Sequence, residues 1–197
     1  MFIQIIQGTV TDADALQRSV ERWRKEIKPG AHGYLGSTGG VTPDGRGLTM
    51  VRFESAADAQ ANSERAEQGA WWNEASKAFG DDVTFHNCNE VETLLGGGND
   101  KASFVQVLQG HTKDQAAMRT TAVASEAELH ALRPDILGVV LAFHDDGGFT
   151  QAIYFSSEEA ARTGEKAMQG NPDLSNRLRA TIDGDIAFFD LNEPDFD

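Results

Sequence analysis

His86 and Arg52 are the side chains of this 197-residue chain best suited by type to catalysis. An imidazole titrates near neutrality and can move a proton. A guanidinium stays charged and holds an anionic oxygen through a planar fork of donors. Gln4 and Ser37 would add neutral hydrogen-bonding groups, and the pair Trp71-Trp72 two flat apolar surfaces. Gathered in one place, these would make a small-molecule pocket that is apolar with a few aimed polar groups. His86 and Arg52 would then be its catalytic residues, with Gln4, Ser37, Trp71 and Trp72 binding substrate. Each also has a plain structural reading. Arg52 could pair with a carboxylate, His86 could sit satisfied in a sheet, and Gln4 could bond its repeat mate Gln106. Two adjacent Trp cannot both face inward from a helix, so at least one of them is partly exposed or lines an opening.

Other apparent motifs carry no chemistry. Gly36-Ser37-Thr38-Gly39-Gly40 resembles a phosphate loop, but no Lys follows it and no parallel βαβ unit surrounds it. The five His are scattered without metal-ligand spacing, and the single cysteine, Cys88, excludes a cysteine-based metal site or an internal disulfide. No metal and no cofactor are expected.

The elements that would position these residues come twice. Residues 2–8, FIQIIQG, match residues 104–110, FVQVLQG, with four identities and three aliphatic exchanges. The offset of 102 persists: Asp12 matches Asp114, Leu35-Gly36 matches Leu137-Gly138, Phe53 matches Phe155, and Ala59 matches Ala161. Single-residue slips later align Gln68-Gly69 with Gln169-Gly170 and Phe85 with Phe188. Each copy reads as a βαββαβ unit. An apolar, β-branched strand comes first, then a helix carrying Leu16, Val20, Trp23 and Ile27 on one stripe. A hairpin turns at Pro43-Asp44-Gly45, and a capping box at Ser55–Asp58 or Ser156–Glu159 opens the second helix. A last strand lies near 83–87 or 185–190. The expected division is residues 1–95 for the first repeat, a glycine-rich linker at 96–100, and residues 101–197 for the second.

This order is the ferredoxin-like topology, which leaves one face of a four-stranded sheet bare of helices. The fold class expected is α+β, two ferredoxin-like repeats closing sheet to sheet as an intrachain α+β barrel, a covalent pseudo-dimer. Strand alternation separates Ile3 and Ile5 from Phe2, Gln4 and Ile6. The aliphatic side is expected under the helices, and the mixed side, with Gln4, Gln106, Arg52 and Tyr154, in the lumen. The copies differ. Ser37–Val41 is small and polar where Val139–Phe143 is bulky, and all three Trp lie in the first copy. A ligand cavity is therefore expected against copy one.

The formal net charge is −14, with 9 basic and 15 acidic side chains in residues 1–100 and 8 and 16 in the rest. Neither half offers the basic face that nucleic acid or an anionic membrane requires. No apolar run reaches the roughly 20 residues of a membrane span, and MFIQIIQG lacks the basic start and cleavage site of a signal peptide. A cytoplasmic protein is expected, a monomer or weak homodimer with a small-molecule ligand as its partner.

The repeated Phe-x-Gln-x-x-Gln-Gly strand, the Gly-x-x-Gly-Ser-Thr hairpin and Glu67-Gln68-Gly69-Ala70-Trp71-Trp72 resemble actinobacterial members of the dimeric α+β barrel superfamily. That group includes antibiotic-biosynthesis-type monooxygenases, stress-responsive barrels and heme-degrading enzymes. The resemblance implies a cofactor-independent monooxygenase acting on an aromatic or polyketide-like substrate, or a barrel that binds a ligand or serves only as structure. Heme degradation fits least: related barrels use an Asn on the first strand and a nearby His, whereas positions 4 and 7 are Gln and no His follows Trp72 on its helix.

Overall fold

A capping Asp opens the first helix of each repeat. In the computed structural model, which describes residues 1–197, Asp12 accepts from the backbone N–H of Ala15, and its repeat mate Asp114 from that of Ala117. The first repeat runs β1 (Phe2–Thr9), α1 (Ala13–Arg22), β2 (Tyr34–Val41), β3 (Arg46–Phe53), α2 (Ala56–Ser63), α3 (Ala66–Ala75) and β4 (Thr84–Cys88). β5 (Glu90–Leu94) follows. The second repeat is β6 (Phe104–His111), α4 (Gln115–Leu132), β7 (Ile136–Phe143), β8 (Gly148–Phe155), α5 (Glu158–Gln169), α6 (Pro172–Arg179) and β9 (Asp183–Leu191), with β10 (Asp195–Phe196) at the end. The expected α+β class with two βαββαβ repeats is what the chain adopts. None of its helices is long and apolar enough to cross a membrane.

Each repeat builds an antiparallel sheet with one strand more than βαββαβ supplies. The orders are β10-β2-β3-β1-β4 and β5-β7-β8-β6-β9. The compact units are accordingly residues 1–89 with 195–197, and residues 90–194, and not a division at 96–100. Strand pairing is the reason. Glu90–Leu94 bonds along β7 from Phe143 to Val139, and Asp195 and Phe196 bond beside Gly39 and Thr38 of β2. The stretch expected to be a linker is a built turn of the second unit. Gly97 donates to the Leu94 carbonyl and lies so close to Gly138 that a Cβ there would come within 1.7 Å of the Gly97 oxygen.

The second helix of each repeat is broken in two. Ser55 caps α2 by accepting from Asp58 N–H, while its own hydroxyl donates to the Asp58 carboxylate. Arg65 then turns to extended backbone, and its guanidinium donates to the Ile27 carbonyl at 3.1 and 3.2 Å and to Asn62 Oδ1. That carbonyl closes a π-helical turn, Trp23–Ile27, that continues α1, so the break in one helix caps the end of another. In the second repeat Ser157, not Ser156, caps α5; Asn171 caps α6, with Pro172 at its first position.

The faces of β1 and β6 are the reverse of the expected ones, whereas Arg52 and Tyr154 lie on the helix-free faces, as expected. Phe2 and Phe53 pair across β1 and β3 and pack on Ala59 of α2, as Phe104 and Phe155 pack on Ala161 of α5. Phe2, Gln4 and Ile6 therefore lie under the helices. Ile3, Ile5, Met50 and Arg52 lie on the opposite face. A ring spanning the gap between sheet and helix needs a small partner above it, and Ala59 and Ala161 supply that partner.

Candidate functional site

The helix side of the first sheet collects aromatic rings above a floor of amides. On β1, Gln4 faces the helices beside Val51 of β3 and Asn87 of β4, and its amide donates to Asn87 Oδ1 at 3.0 Å. Ile6 lies two residues along, paired with Phe85, whose ring is 46% exposed. α3 covers this region. Trp72 meets Phe85 edge-on with ring centroids 5.3 Å apart, and Phe79 at 6.4 Å. Trp71 stands next to it at 6.0 Å and donates its indole N–H to the Ser19 carbonyl of α1. Trp23 follows at 6.4 Å, its indole N–H on Gln68 Oε1 of α3. Tyr34 of β2 lies 4.9 Å from Trp23, and Phe53 lies 5.8 Å beyond. The π-helical turn sets this register: Trp23 begins it, Arg24 projects from it, and Lys28 lies just past its end. Single π turns are frequent at functional sites.

At the inner end, Tyr34 donates its phenol to Asp197 Oδ2 at 3.1 Å and is hydrogen-bonded by Ser37. Lys28 Nζ binds the other Asp197 oxygen at 2.6 Å, and Arg24 binds Asp195. Burial, with smaller opposition from Ser37 and reinforcement from Asp197, pushes the Tyr34 phenol well above its ordinary pKa. It stays neutral through the physiological range.

The residues singled out from sequence divide between the two faces. Gln4, Ser37, Trp71 and Trp72 all belong to the helix side. Arg52 and His86 oppose Ile3 and Ile5 and belong to the other face, so the sheet itself separates them from the Trp pair. Arg52 keeps a buried Nε without a hydrogen bond. Asn87, Phe85, Tyr34 and Gln68 line the helix side and were not among the expected residues. Their signal was present. Phe2, Phe53 and Ala59 recur in the second copy as Phe104, Phe155 and Ala161, which marks the helix face, and alternation then adds Asn87.

The second unit closes the equivalent space with charge. Gln106 is buried and donates to Asp190, the repeat mate of Asn87, at 3.0 Å. Arg162 of α5 binds both Asp190 and Glu165, and its guanidinium lies 5.3 Å over the Phe104 ring. Desolvation lowers the Arg162 pKa, but the bonds to Asp190 and Glu165 outweigh it and hold the charge more firmly than usual. In the first unit position 60 is Gln, engaged with Glu64, and nothing charged reaches the Gln4–Asn87 pair from α2. α6 carries no aromatic residue.

A groove of about 490 Å³ lies elsewhere, between the end of α4 and α5 of the second unit. Two of its polar walls are committed: Asp135 is ion-paired with Arg133, and Ser157 is the cap of α5. It holds none of the residues expected from sequence.

No family model matches the chain, and no curated protein matches it. Among solved structures it is similar to a candidate monooxygenase from Lactobacillus acidophilus, with TM-score 0.69 and 13% identity over 96% of this chain and 92% of that one. It is similar also to an anthrone oxidase-like protein, with TM-score 0.67 and 12% identity over 100% and 92%. A third is an uncharacterized ferredoxin-fold protein from Listeria monocytogenes related to antibiotic biosynthesis monooxygenases, with TM-score 0.50 and 10% identity over 96% and 92%. Identities this low carry the fold and no more. The chain has the two-repeat α+β architecture of the ferredoxin-fold proteins related to antibiotic biosynthesis monooxygenases.

Proposed function

We propose that the first unit binds a planar, electron-rich aromatic compound against the exposed Phe85 ring, which Trp72 backs edge-on, and oxygenates it without a cofactor. The observation that supports this is the asymmetry of the two helix-side spaces. One is walled by indoles over a neutral amide pair, the other is filled by Arg162, Asp190 and Glu165. Phe85, held by the edge of Trp72, would stack the ring system. Gln4 and Asn87 would hold a phenol or carbonyl oxygen at its edge, and their donors favour its anionic form. An anthrone-type ligand suits these walls: its acidic methylene gives an electron-rich carbanion that reduces O₂ directly. The balanced change converts the methylene to a carbonyl as O₂ becomes that carbonyl oxygen and one water. Arg52 and His86, on the opposite face, have no part in this reading.

A second reading, binding without turnover, is favoured by the neutrality of Gln4 and Asn87, since neither amide can take a proton. Titrating the protein with an anthrone and with its anthraquinone, by indole fluorescence, and following O₂ consumption separates the two. Trp72→Leu and Asn87→Ala should each weaken binding by about 1 kcal/mol, roughly fivefold. Binding without O₂ uptake leaves the binder. Affinity untouched by both variants removes the site.

A further inference from the structure

The ring run in the first unit has an end that packing alone does not require. Trp72, Trp71, Trp23 and Tyr34 follow one another at 6.0, 6.4 and 4.9 Å between centroids, each ring against the next. The second unit builds the same fold with Ser125 and Ile136 at the positions of Trp23 and Tyr34, and with no aromatic residue in α6. The fold therefore does not call for the rings. The hydrogen bonds along the run also differ in kind. The indole N–H groups of Trp71 and Trp23 meet neutral acceptors, the Ser19 carbonyl and the Gln68 amide. Tyr34 alone meets a carboxylate, Asp197, at 3.1 Å.

Oxidation of an indole by one electron gives a radical cation whose N–H becomes strongly acidic. A neutral amide or carbonyl is a poor base for that proton, so the hole stays mobile on Trp71 and Trp23. Oxidation of a phenol becomes favourable only when its proton leaves at the same time, and a carboxylate already hydrogen-bonded to it receives that proton without rearrangement. We propose that Trp72, Trp71, Trp23 and Tyr34 form a hole-relay, with Tyr34 and Asp197 as its proton-coupled terminus. One electron leaves Tyr34 by way of the three indoles and reduces an oxidant at the Trp72 end. The phenol proton passes from Tyr34 Oη to Asp197 Oδ2. The products are a neutral tyrosyl radical, a protonated Asp197 and the one-electron-reduced oxidant. Lys28, 2.6 Å from the other Asp197 oxygen, keeps that carboxylate turned toward the ring. The biological oxidant is of the class of an organic peroxyl radical, formed when a substrate carbon radical adds O₂ beside Trp72 and reduced by one electron to the peroxide anion. That source rests on the proposed function; the relay does not, and it would quench such radicals at Trp72.

The test uses the full chain without ligand and a photogenerated ruthenium(III) polypyridyl oxidant, read by transient absorption and electron paramagnetic resonance. The chain has two Tyr, and Tyr154 is 1% exposed, so the tyrosyl signal can be assigned by one substitution. In the native chain an indole radical should appear first and decay into a tyrosyl radical. Tyr34→Phe, which keeps the ring, should abolish the tyrosyl signal and leave a long-lived indole radical. Trp71→Phe should interrupt the run and lose most of the tyrosyl yield, and Asp197→Asn should slow its rise. A tyrosyl signal that survives Tyr34→Phe, or one undiminished by Trp71→Phe, overturns the relay. Because the oxidant comes from light, absence of oxygenase turnover leaves these outcomes unchanged.

Discussion

Trp71 joins α3 to α1, so its truncation measures how firmly the aromatic wall is built. A fully buried Trp→Ala change costs about 3–5 kcal/mol. Trp71 is half-buried, which brings the packing loss to roughly 2 kcal/mol on the same scale. Loss of the hydrogen bond to Ser19 adds about 1 kcal/mol and no more. The Ser19 carbonyl keeps a second partner, the backbone N–H of Trp23, so no orphaned acceptor is left behind. Trp71→Ala should thus cost about 3 kcal/mol, and Trp71→Phe, which keeps a ring but not the donor, about 1–1.5 kcal/mol. Urea titration followed by far-ultraviolet circular dichroism reads both, since changing an indole disturbs fluorescence on its own account. The two units can melt separately, so the transition of the first unit is the one to fit. If Trp71→Ala shifts that transition by less than about 1 kcal/mol, the ring is not part of the packed wall. If Trp71→Phe costs as much as Trp71→Ala, the hydrogen bond and not the ring holds α3 to α1.

Two pH dependences follow from the same unit. Asp82 accepts from the backbone N–H and hydroxyl of Thr9, and these bonds hold its carboxyl below the usual range. A lowered folded pKa gives stability that is present above about pH 4 and lost as pH falls through the folded value. Asp82→Asn should therefore lower the melting temperature at neutrality and flatten the acid limb. Tyr34 behaves in the opposite sense: its folded pKa is raised, so the unfolded chain ionises first and stability falls as pH rises above about 10. Tyr34→Phe should flatten the alkaline limb, and an unchanged slope there would mean that the phenol is solvated.

The duplication was plain in the sequence because a repeat needs no physics to detect, and the strand order followed once each copy was read alone. What alternation could not settle was which face the helices cover, because both faces of β1 are apolar enough to be buried. The choice turned on volume. Phe2 and Phe53 fill the gap beneath a helix whose contact residue is Ala59, while Ile3 and Ile5 are fully buried on the other side. Hydropathy ranks those two faces alike, and only the pairing of large with small tells them apart. With the faces of β1 exchanged, Gln4 moved from the expected lumen side to the helix side and joined the Trp pair, while Arg52 and His86 lie on the helix-free face. β5 and β10 were missed for another reason. Glu90–Leu94 and Asp195–Phe196 gain their strand character from an edge they pair with far along the chain, and a short window holds no sign of that edge.

Edge completion and site asymmetry are linked through β10. Asp195 and Asp197 reach β2 beside Arg24, on the π-helical stretch that carries Trp23, and Lys28, just past its end. The acids that finish the first sheet thus also fix the turn on which the aromatic wall begins, and they supply the carboxylate under Tyr34. β5, the matching extra strand of the second unit, is tied differently. Arg119 of α4 binds Glu90 and Glu92 and lies over Phe143, with no tyrosine or indole in the arrangement. Two edges of the same kind are therefore closed by two charge patterns. In the second unit the pattern finishes a sheet. In the first it also sets a carboxylate against Tyr34, the one tyrosine of the ring run, so the same kind of added strand that only closes an edge in one unit is tied to the aromatic wall in the other.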